Sequence, residues 1–494
     1  MKKTNKKKLI LILVLLAEVL TFAIYMALYF EMPDFAKAVK TLQGEEKTAT
    51  YVYSTSLRTL DPSFYDEESN EKLKYVYEGL VGFDKYYRIT PLLATSWSNL
   101  DKKTWEFNLR EGVTFHNGEK FTADDVIFSF ERAKSLKTDL AELLSNIKEI
   151  QKITDHQIYI ITKKADPLLL SKLTNLFILS HQAFLGLEYN VNESPLGTGP
   201  YLFERWKKED YLHLVAFENY YAGIQEPQNL RIKIVPNKYR RAAKLAAQEI
   251  DYLFNVPPEY FEQIRTAGYE VLRYPSFNSF FLLFNHRHPL LQRKEIRKAI
   301  GEAINKEKII EIVGGFAKPI SQLIATGVFG YNSSLTEIPY NPTEAKTVVE
   351  NLQDTSRELT LDAEYATGEI GYFIVTELEN IGLDVKLNLL TQRELLQKIS
   401  SGESDFYLLA WDFSGVADPA DLLNELVSSE GKYNLENYQN EEVDQLITES
   451  SRETKEEKRI EEIQKIMELI HEDIIGVPLI EPYLLEAELQ IPNY

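Results

Sequence analysis

The spacing of apolar residues predicts strands in the first half of the chain. Trp105, Phe107 and Leu109 occupy every second position of the segment 104–110, which is the period of a half-buried strand. Asn117-Gly118 then breaks the chain. Further strands are predicted at 48–54 and 231–235, with a hairpin at 150–163 that turns at Asp155-His156.

Capping signals predict where helices begin. Thr122 and Asp125 have the spacing of a capping box, so a helix is predicted to begin at Ala123. Thr391 and Glu394 repeat that spacing before another apolar pattern. Helical patterns are also predicted at 72–80, 139–150, 240–249, 293–313, 370–380, 394–399 and 441–470.

Strands and helices alternate in the second half of the chain. The predicted strands are 280–284, 358–364, 384–389 and 405–411. Helical patterns separate the last three of these strands. Such alternation is typical of βαβ units and of a mixed sheet covered by helices on both faces. The fold class is therefore predicted to be α/β.

Length and composition limit the classes of protein to consider. A chain of 494 residues is too long for one compact core, and two or three domains are expected. The net charge of -20 argues against a nucleic-acid partner, since phosphate binding needs a basic face. Cysteine is absent, which excludes disulfides, thiolate zinc sites and cysteine nucleophiles.

The N-terminus predicts a membrane anchor. Lysines within 2–8 precede an apolar stretch at 9–30, which reaches about 33 Å as a helix and is long enough to cross a bilayer core. The lysines place the N-terminus in the cytoplasm and the remaining chain outside. The alternative is a signal peptide cleaved near Ala36-Lys37-Ala38. The polar segment 31–46 is predicted to be a spacer.

A series of short motifs follows in order along the chain. They are Leu60-Asp61-Pro62, Tyr77-Glu78-Gly79-Leu80, the stretch 94–132, Gly197-Thr198-Gly199-Pro200-Tyr201, Leu283-Phe284-Asn285 with 297–300, Trp411 with Asp418-Pro419, and 440–446. Together they resemble the family 5 extracellular solute-binding proteins of bacterial ABC importers, which include dipeptide, oligopeptide and nickel binders. The resemblance covers the chain from Lys47 to the C-terminus.

The resemblance implies a two-lobed, periplasmic-binding-protein-like fold of type II. Mixed sheets flanked by helices would form each lobe, with a hinge between the lobes and the N-terminal transmembrane helix in addition. Residues 1–30 are expected to form the basic end and the anchor or signal sequence, and 31–46 the spacer. Lobe 1 is expected at 47–277, with 71–190 as a subdomain, completed by 475–494. Lobe 2 is expected at 278–474.

The end of the strand at 405–411 is the main candidate for a ligand site. Open α/β sheets bind ligands beyond the carboxyl ends of their strands, which points to Trp411, Asp412 and the following Asp418. In peptide-binding members of the family, an aspartate three residues before the acidic residue of the Asp-Pro pair binds the peptide's amino group. This chain has Gly415 there, so that Asp412 is the remaining candidate for the amine.

Three further residues are candidates by resemblance. Thr55 and Ser56 match a segment that lines the cleft in the family, and Asn285 is a weaker candidate. No metal site, catalytic site or cofactor is predicted: His286 and His288 are more typical of ordinary histidines, and the chain has no nucleophile elbow or P-loop. A glycosidase-like carboxylate pair has no support in the sequence.

These observations predict a non-catalytic, extracytoplasmic solute receptor. It would be a monomer, held at the cell membrane by one N-terminal helix, that captures peptides between its lobes and delivers them to ABC permease subunits. One alternative is a membrane-anchored sensing or capture module without a transport role. Another is a binder of non-peptide solutes such as metal chelates.

Overall fold

The computed structural model describes residues 48–64, 66–186, 189–352, 358–434 and 437–489. The predicted anchor or signal sequence and the spacer lie outside these residues. Within the described ranges, none of the helices combines the length and the apolar character that crossing a bilayer requires.

Strands form the centre of the molecule. In chain order they are β1 (Thr48–Tyr53), β2 (Val81–Phe83), β3 (Ile89–Pro91), β4 (Ala94–Asn99), β5 (Thr104–Leu109), β6 (Ile147–Thr154), β7 (Gln157–Thr162), β8 (Tyr201–Lys207), β9 (Tyr211–Ala216), β10 (Asn229–Ile234), β11 (Tyr252–Leu253), β12 (Tyr269–Pro275), β13 (Asn278–Phe284), β14 (Ala317–Pro319), β15 (Glu358–Glu364), β16 (Asp384–Leu390), β17 (Phe406–Asp412) and β18 (Gly476–Leu489).

Helices cover the sheets. In chain order they are α1 (Glu67–Leu73), α2 (Ala123–Leu136), α3 (Asp139–Leu143), α4 (Leu169–Leu173), α5 (Lys238–Ala246), α6 (Phe261–Thr266), α7 (Lys294–Ala303), α8 (Lys306–Ile312), α9 (Pro342–Glu350), α10 (Gly368–Asn380), α11 (Gln392–Ser400), α12 (Ala420–Leu422), α13 (Glu441–Ser450) and α14 (Glu456–Asp473). A π-helical turn, Leu423–Val427, continues α12.

One sheet runs through the whole molecule in the order β16-β15-β17-β13-β18-β11-β1-β10-β9-β8, with β12 and β14 also paired to β18. The long strand β18 joins its two parts. Its start pairs with β13, where Phe280 faces Ile480, and its end pairs with β12, where Tyr269 faces Leu489. We call β1–β12 and the end of β18 lobe 1, and β13–β17 and the start of β18 lobe 2.

Lobe 2 contains the βαβ units that the sequence predicts. Strand β15 is parallel to β16 and to β17, and α10 and α11 make the two crossovers. The sheet is buried on both faces, because one apolar cluster includes Leu282 and Leu408 and another includes Phe281 and Leu409. Mixed sheets flanked by helices are thus confirmed.

Lobe 1 carries a smaller sheet, in the order β4-β5-β7-β6, against which α2 packs. Trp105, Phe107 and Leu109 of β5 are buried in the same cluster as Val126 of α2. The predicted capping box is present at the start of this helix, where the backbone N–H of Thr122 donates to the Asp125 carboxylate over 2.8 Å. The predicted beginning of α2 at Ala123 is confirmed.

Two predicted helices are shorter in the structure. The segment 72–80 was predicted to be helical, but α1 ends at Leu73 because the following residues pack closely against other backbone, with Gly79 bridged to Phe177. The helix predicted at 139–150 ends at Leu143, and Ile147 begins β6. In both places pairing with distant segments overrides the local helical pattern.

Candidate functional site

A cavity of about 580 Å³ lies between the lobes. Lobe 1 supplies residues from α1, the β2–β3 hairpin, β11 and β18, and lobe 2 supplies the loop that follows β17. A smaller cavity of about 130 Å³ adjoins it beside the same loop. Gly415 and Asn175 line both cavities, so the two spaces meet where the lobes face each other.

Aromatic side chains form much of the wall of the larger cavity. Tyr252 and Phe254 lie with ring centroids 4.7 Å apart, and Tyr51 packs behind Tyr252 with centroids 5.2 Å apart. The lining aromatic residues are Tyr77, Phe83, Tyr87, Phe177, Tyr220, Tyr252, Phe254 and Tyr274. Such walls suit a ligand with apolar or aromatic side chains.

Charged groups are placed on the lobe 1 side of the cavity. The Lys74 ammonium lies 2.8 Å from the Glu71 carboxylate. The positive charge of Lys74 lowers the pKa of Glu71 and so favours the ionised carboxylate. Glu486 accepts a hydrogen bond from the Tyr252 hydroxyl. Lys85 also lines the cavity. The wall therefore presents both signs of charge.

Glu78 is a buried carboxylate at the edge of this wall. The Tyr220 and Tyr221 hydroxyls each donate to it over 2.8 Å, and the Thr198 hydroxyl donates over 2.9 Å. Burial raises the pKa of Glu78 despite these three donors. The carboxylate connects the Tyr77–Leu80 motif to the Gly197–Tyr201 motif, so both motifs have a shared structural role.

The predicted residues at the end of β17 lie beside the cavities. Trp411 and Asp412 line the smaller cavity, where Asp412 accepts a hydrogen bond from the Ser414 backbone N–H over 2.8 Å. Gly415 faces open space, since a Cβ added there would meet no atom within 4 Å. The structure thus brings Trp411, Asp412 and Gly415 together at the lobe boundary.

Asp418 lines the smaller cavity but has a buried cationic partner. Its two carboxylate oxygens lie 2.5 and 2.8 Å from the guanidinium of Arg459 on α14, and the two side chains are only 4% and 5% exposed. Asp418 also accepts a hydrogen bond from the Ala420 backbone N–H. This geometry favours a role in holding the loop to α14 over direct ligand contact.

The structure does not bring Asn285 into either cavity. The cavity end of β13 is Asn278, which pairs with Asp412, whereas Asn285 follows the other end, more than about 20 Å away along the strand. The Asn285 side chain donates to the Ser404 carbonyl over 2.9 Å and so closes a turn there. The strand predicted at 280–284 is confirmed as part of β13, but the resemblance did not show which end of this strand faces the cavity.

Thr55 and Ser56 follow β1 and do not line either cavity. The Thr55 hydroxyl instead accepts a hydrogen bond of 3.0 Å from the ammonium of Lys72. Lys72 is a fully buried residue. That ammonium also lies 4.7 Å from the centre of the Tyr53 ring. Burial lowers the pKa of Lys72 to about 8. Thr55 therefore helps to hold a buried lysine behind the cavity wall.

The buried Lys72 predicts a pH dependence of stability. Its folded-state pKa of about 8 lies below the value of about 10.4 in an unfolded chain, so the unfolded state binds more protons between these values and stability rises with pH there. Between pH 7.5 and pH 10.5 we expect the wild type to gain up to about 3 kcal/mol relative to Lys72→Met. Urea unfolding at several pH values measures the difference, with the exposed Lys346→Met as control. Parallel curves for wild type and Lys72→Met would contradict the prediction.

The sequence reasoning missed the residues on the lobe 1 wall. Glu486 was within reach, because Leu485 and Ala487 are apolar and Glu486 and Glu488 are polar, which is the period of a strand with one buried face. Lys74 and Tyr252 carry no comparable signal, since the distant segments that bring them to one cavity cannot be paired from a single sequence.

The fold and the site define a class of protein: a two-lobed receptor that encloses a small solute in a cavity between its lobes. The sequence profile of bacterial extracellular solute-binding proteins, family 5 (middle region), matches residues 88–434, which is more than two thirds of the chain. The chain belongs to this family.

Individual relatives span nearly the full chain. Di/tripeptide-binding protein 2 of Pseudomonas aeruginosa is 25% identical, over 91% of this chain and 92% of its own length. Heme-binding protein A of Haemophilus influenzae is 27% identical, over 89% of each chain. A crystal structure described as a nickel ABC transporter from Bacillus halodurans is similar in fold, with a TM-score of 0.81, 22% identity and coverage of 90% of this chain and 95% of that chain.

Proposed function

We propose that this protein is the peptide receptor of a bacterial ABC importer. The observation that carries the proposal is the cavity of about 580 Å³, which residues of both lobes enclose. The ligand enters the open cleft, the lobes close by bending where Pro275 leads into Asn278 and where β18 passes between them, and the closed form docks on permease subunits. Family membership supports this role, and a di/tripeptide-binding relative supports the ligand class.

The composition of the wall favours a peptide over the other ligands of relatives. Haem iron is held by His, Cys, Met or Tyr side chains in proteins, and of these only tyrosines are among the described residues that line the cavity. The described residues also contain no group of three or more His, Cys, Asp and Glu placed to hold a metal ion. Aromatic walls with charged groups on one side match the side chains and termini of a short peptide.

The position of the receptor in the cell is part of the proposal. The apolar stretch 9–30 would anchor the chain in the cell membrane, with the lobes on the extracytoplasmic side and 31–46 as the spacer. The chain has no cysteine that could carry a lipid, so this helix would be its attachment to the membrane. The receptor would act as a monomer.

Native mass spectrometry of the full chain tests the ligand class. The protein is purified in a mild detergent from its host, and the spectra before and after mild denaturation are compared. A co-purified mixture of short peptides is the expected result. If a single non-peptide species co-purifies, the protein is still a receptor but its ligand is not a peptide. If the protein is empty and free tripeptides do not stabilise it, the peptide-receptor proposal is wrong.

Filling the cavity at Gly415 is expected to abolish peptide binding. Because a Cβ there meets no atom within 4 Å, the ring of Gly415→Trp projects into the space between the lobes and occupies volume that the ligand needs. We expect the affinity for peptide to fall about 100-fold or more, with the melting temperature unchanged. Gly415→Ala is the control, because its small side chain leaves most of the cavity open. Equal binding by both variants would place the ligand elsewhere.

A further inference from the structure

The carboxylates of the inter-lobe cavity differ in how their charges are compensated. The lining carboxylates are Glu71, Glu78, Asp84 and Glu486. Glu71 is paired with Lys74, and Asp84 is paired with Arg88 over 2.6 Å. Glu78 accepts three hydroxyl hydrogen bonds. Glu486 has no cation within 4 Å among the described residues and accepts one hydroxyl hydrogen bond, from Tyr252.

The strand geometry turns Glu486 towards the cavity. Its neighbours Leu485 and Ala487 are 2% and 0% exposed and belong to an apolar cluster of lobe 1, so Glu486 projects from the opposite face of β18. Tyr252 donates to one carboxylate oxygen, Oε2. The other oxygen, Oε1, accepts no hydrogen bond from the part of the chain that the structure describes, and it is available to a ligand.

The surroundings of Glu486 suit a positive group. Tyr252, Phe254 and Tyr274 line the same cavity, and aromatic faces attract an ammonium group through their negative potential. The charges of Lys74 and Glu71 offset each other nearby, and Lys85, the other lysine of the cavity lining, lies over the Tyr86 and Tyr274 rings. Partial burial raises the pKa of Glu486, so a bound cation would recover the solvation that the carboxylate has lost.

An amide group without a partner lies in the same wall. Asn70 lines the cavity next to Glu71 on α1, and neither its side-chain oxygen nor its side-chain nitrogen has a hydrogen-bond partner among the described residues. Buried polar groups are nearly always paired in native proteins, and each unpaired one costs about 1–3 kcal/mol. The backbone amide of a bound peptide has the donor and the acceptor that this carboxamide lacks.

We propose that Glu486 binds the free amino group of the ligand, with the Tyr252 and Phe254 rings beside it and Asn70 contacting the first peptide group. This inference rests on the proposed peptide-receptor function and assigns the amine contact to lobe 1. The loop of lobe 2 has no side chain at Gly415, so it offers no carboxylate at that position. Closure of lobe 2 then adds contacts to the rest of the peptide.

A comparison of free and N-acetylated peptides tests the assignment. The full chain in mild detergent is titrated with a library of free tripeptides and with the same library after N-acetylation, for the wild type, Glu486→Gln and Glu488→Gln. Glu488 is the matched control because it is exposed, lies on the same strand and does not line the cavity. Both substitutions keep the shape of the side chain and remove its charge.

The expected pattern is specific to a charge contact with an amine. The wild type should bind the free library about 10- to 100-fold more tightly than the acetylated one, the value of a hydrogen-bonded charge pair. Glu486→Gln should lose this preference by weakening only the free library, and Glu488→Gln should behave as the wild type. The assignment is overturned if the wild type binds both libraries equally, or if Glu486→Gln retains the preference for free amines. Either result leaves the proposed peptide-receptor function intact. Failure of the wild type to bind either library overturns both.

Discussion

Replacing Arg459 with methionine is expected to lower the free energy of unfolding by about 3–5 kcal/mol, because the substitution leaves Asp418 buried without its counter-charge. Two guanidinium nitrogens lie 2.5 and 2.8 Å from the Asp418 carboxylate oxygens, and a third donates to the Ser450 carbonyl over 3.0 Å. The guanidinium also covers the Phe329 ring at 4.7 Å. Urea unfolding of the purified protein measures the loss.

Another cationic residue of α14 supplies the control for this prediction. Lys465 is 46% exposed and pairs with Glu468, which is 40% exposed, so Lys465→Met is expected to cost less than about 1 kcal/mol. Combining Arg459→Met with Asp418→Leu should recover much of the lost stability, since a buried ion pair is replaceable by apolar groups of similar volume. A loss no larger than that of Lys465→Met would show that the Arg459–Asp418 pair does not hold the loop to α14.

Gly197→Ala is expected to destabilise lobe 1 by at least about 3 kcal/mol, because the added methyl group overlaps backbone. Its Cβ would lie 1.9 Å from the Val76 carbonyl oxygen and 2.8 Å from the carbonyl carbon. The same carbonyl accepts a hydrogen bond of 2.9 Å from the Gly199 N–H, so the two chain segments cannot separate without losing it. Soluble yield and thermal melting followed by near-ultraviolet circular dichroism report the effect.

Gly186→Ala is the matched control for the clash at Gly197. A Cβ there meets only the Ala183 carbonyl oxygen at 3.6 Å, which is ordinary contact, and we expect a change within about 0.5 kcal/mol. If both variants melt together at the wild-type temperature, the close approach of the Gly197 loop to Val76 does not contribute to stability. If both fail equally, the effect of Gly197→Ala is not due to this clash.

Capping motifs and apolar periodicity correctly predicted the helices and strands whose sequence signals lie within one short segment. The capping box at Thr122 fixed the start of α2, and the alternation of apolar runs in the second half predicted the βαβ units of lobe 2. These features depend on neighbours a few residues apart, where spacing alone determines which side chains meet. Family membership, which the sequence motifs indicated, is confirmed by the profile match.

The candidate site depended on pairings that one sequence does not contain. The motif with Asn285 lies in β13 as expected, but only the register with β17 shows that Asn278, and not Asn285, is at the cavity end. The Thr55 hydroxyl accepts a hydrogen bond from the buried Lys72, which lies 17 residues further along the chain. Glu486 reaches the cavity because β18 passes from lobe 2 to lobe 1, a path that local periodicity does not reveal.

Strand β18 also imposes an order on folding. The start of β18, Gly476–Ile480, pairs with β13 of lobe 2, and its residues from Tyr483 to Leu489 pair with β11 and β12 of lobe 1. Neither half of the sheet can be completed before β18 is in place. The folding of the two lobes is therefore coupled, because each lobe needs the same strand to complete its part of the sheet.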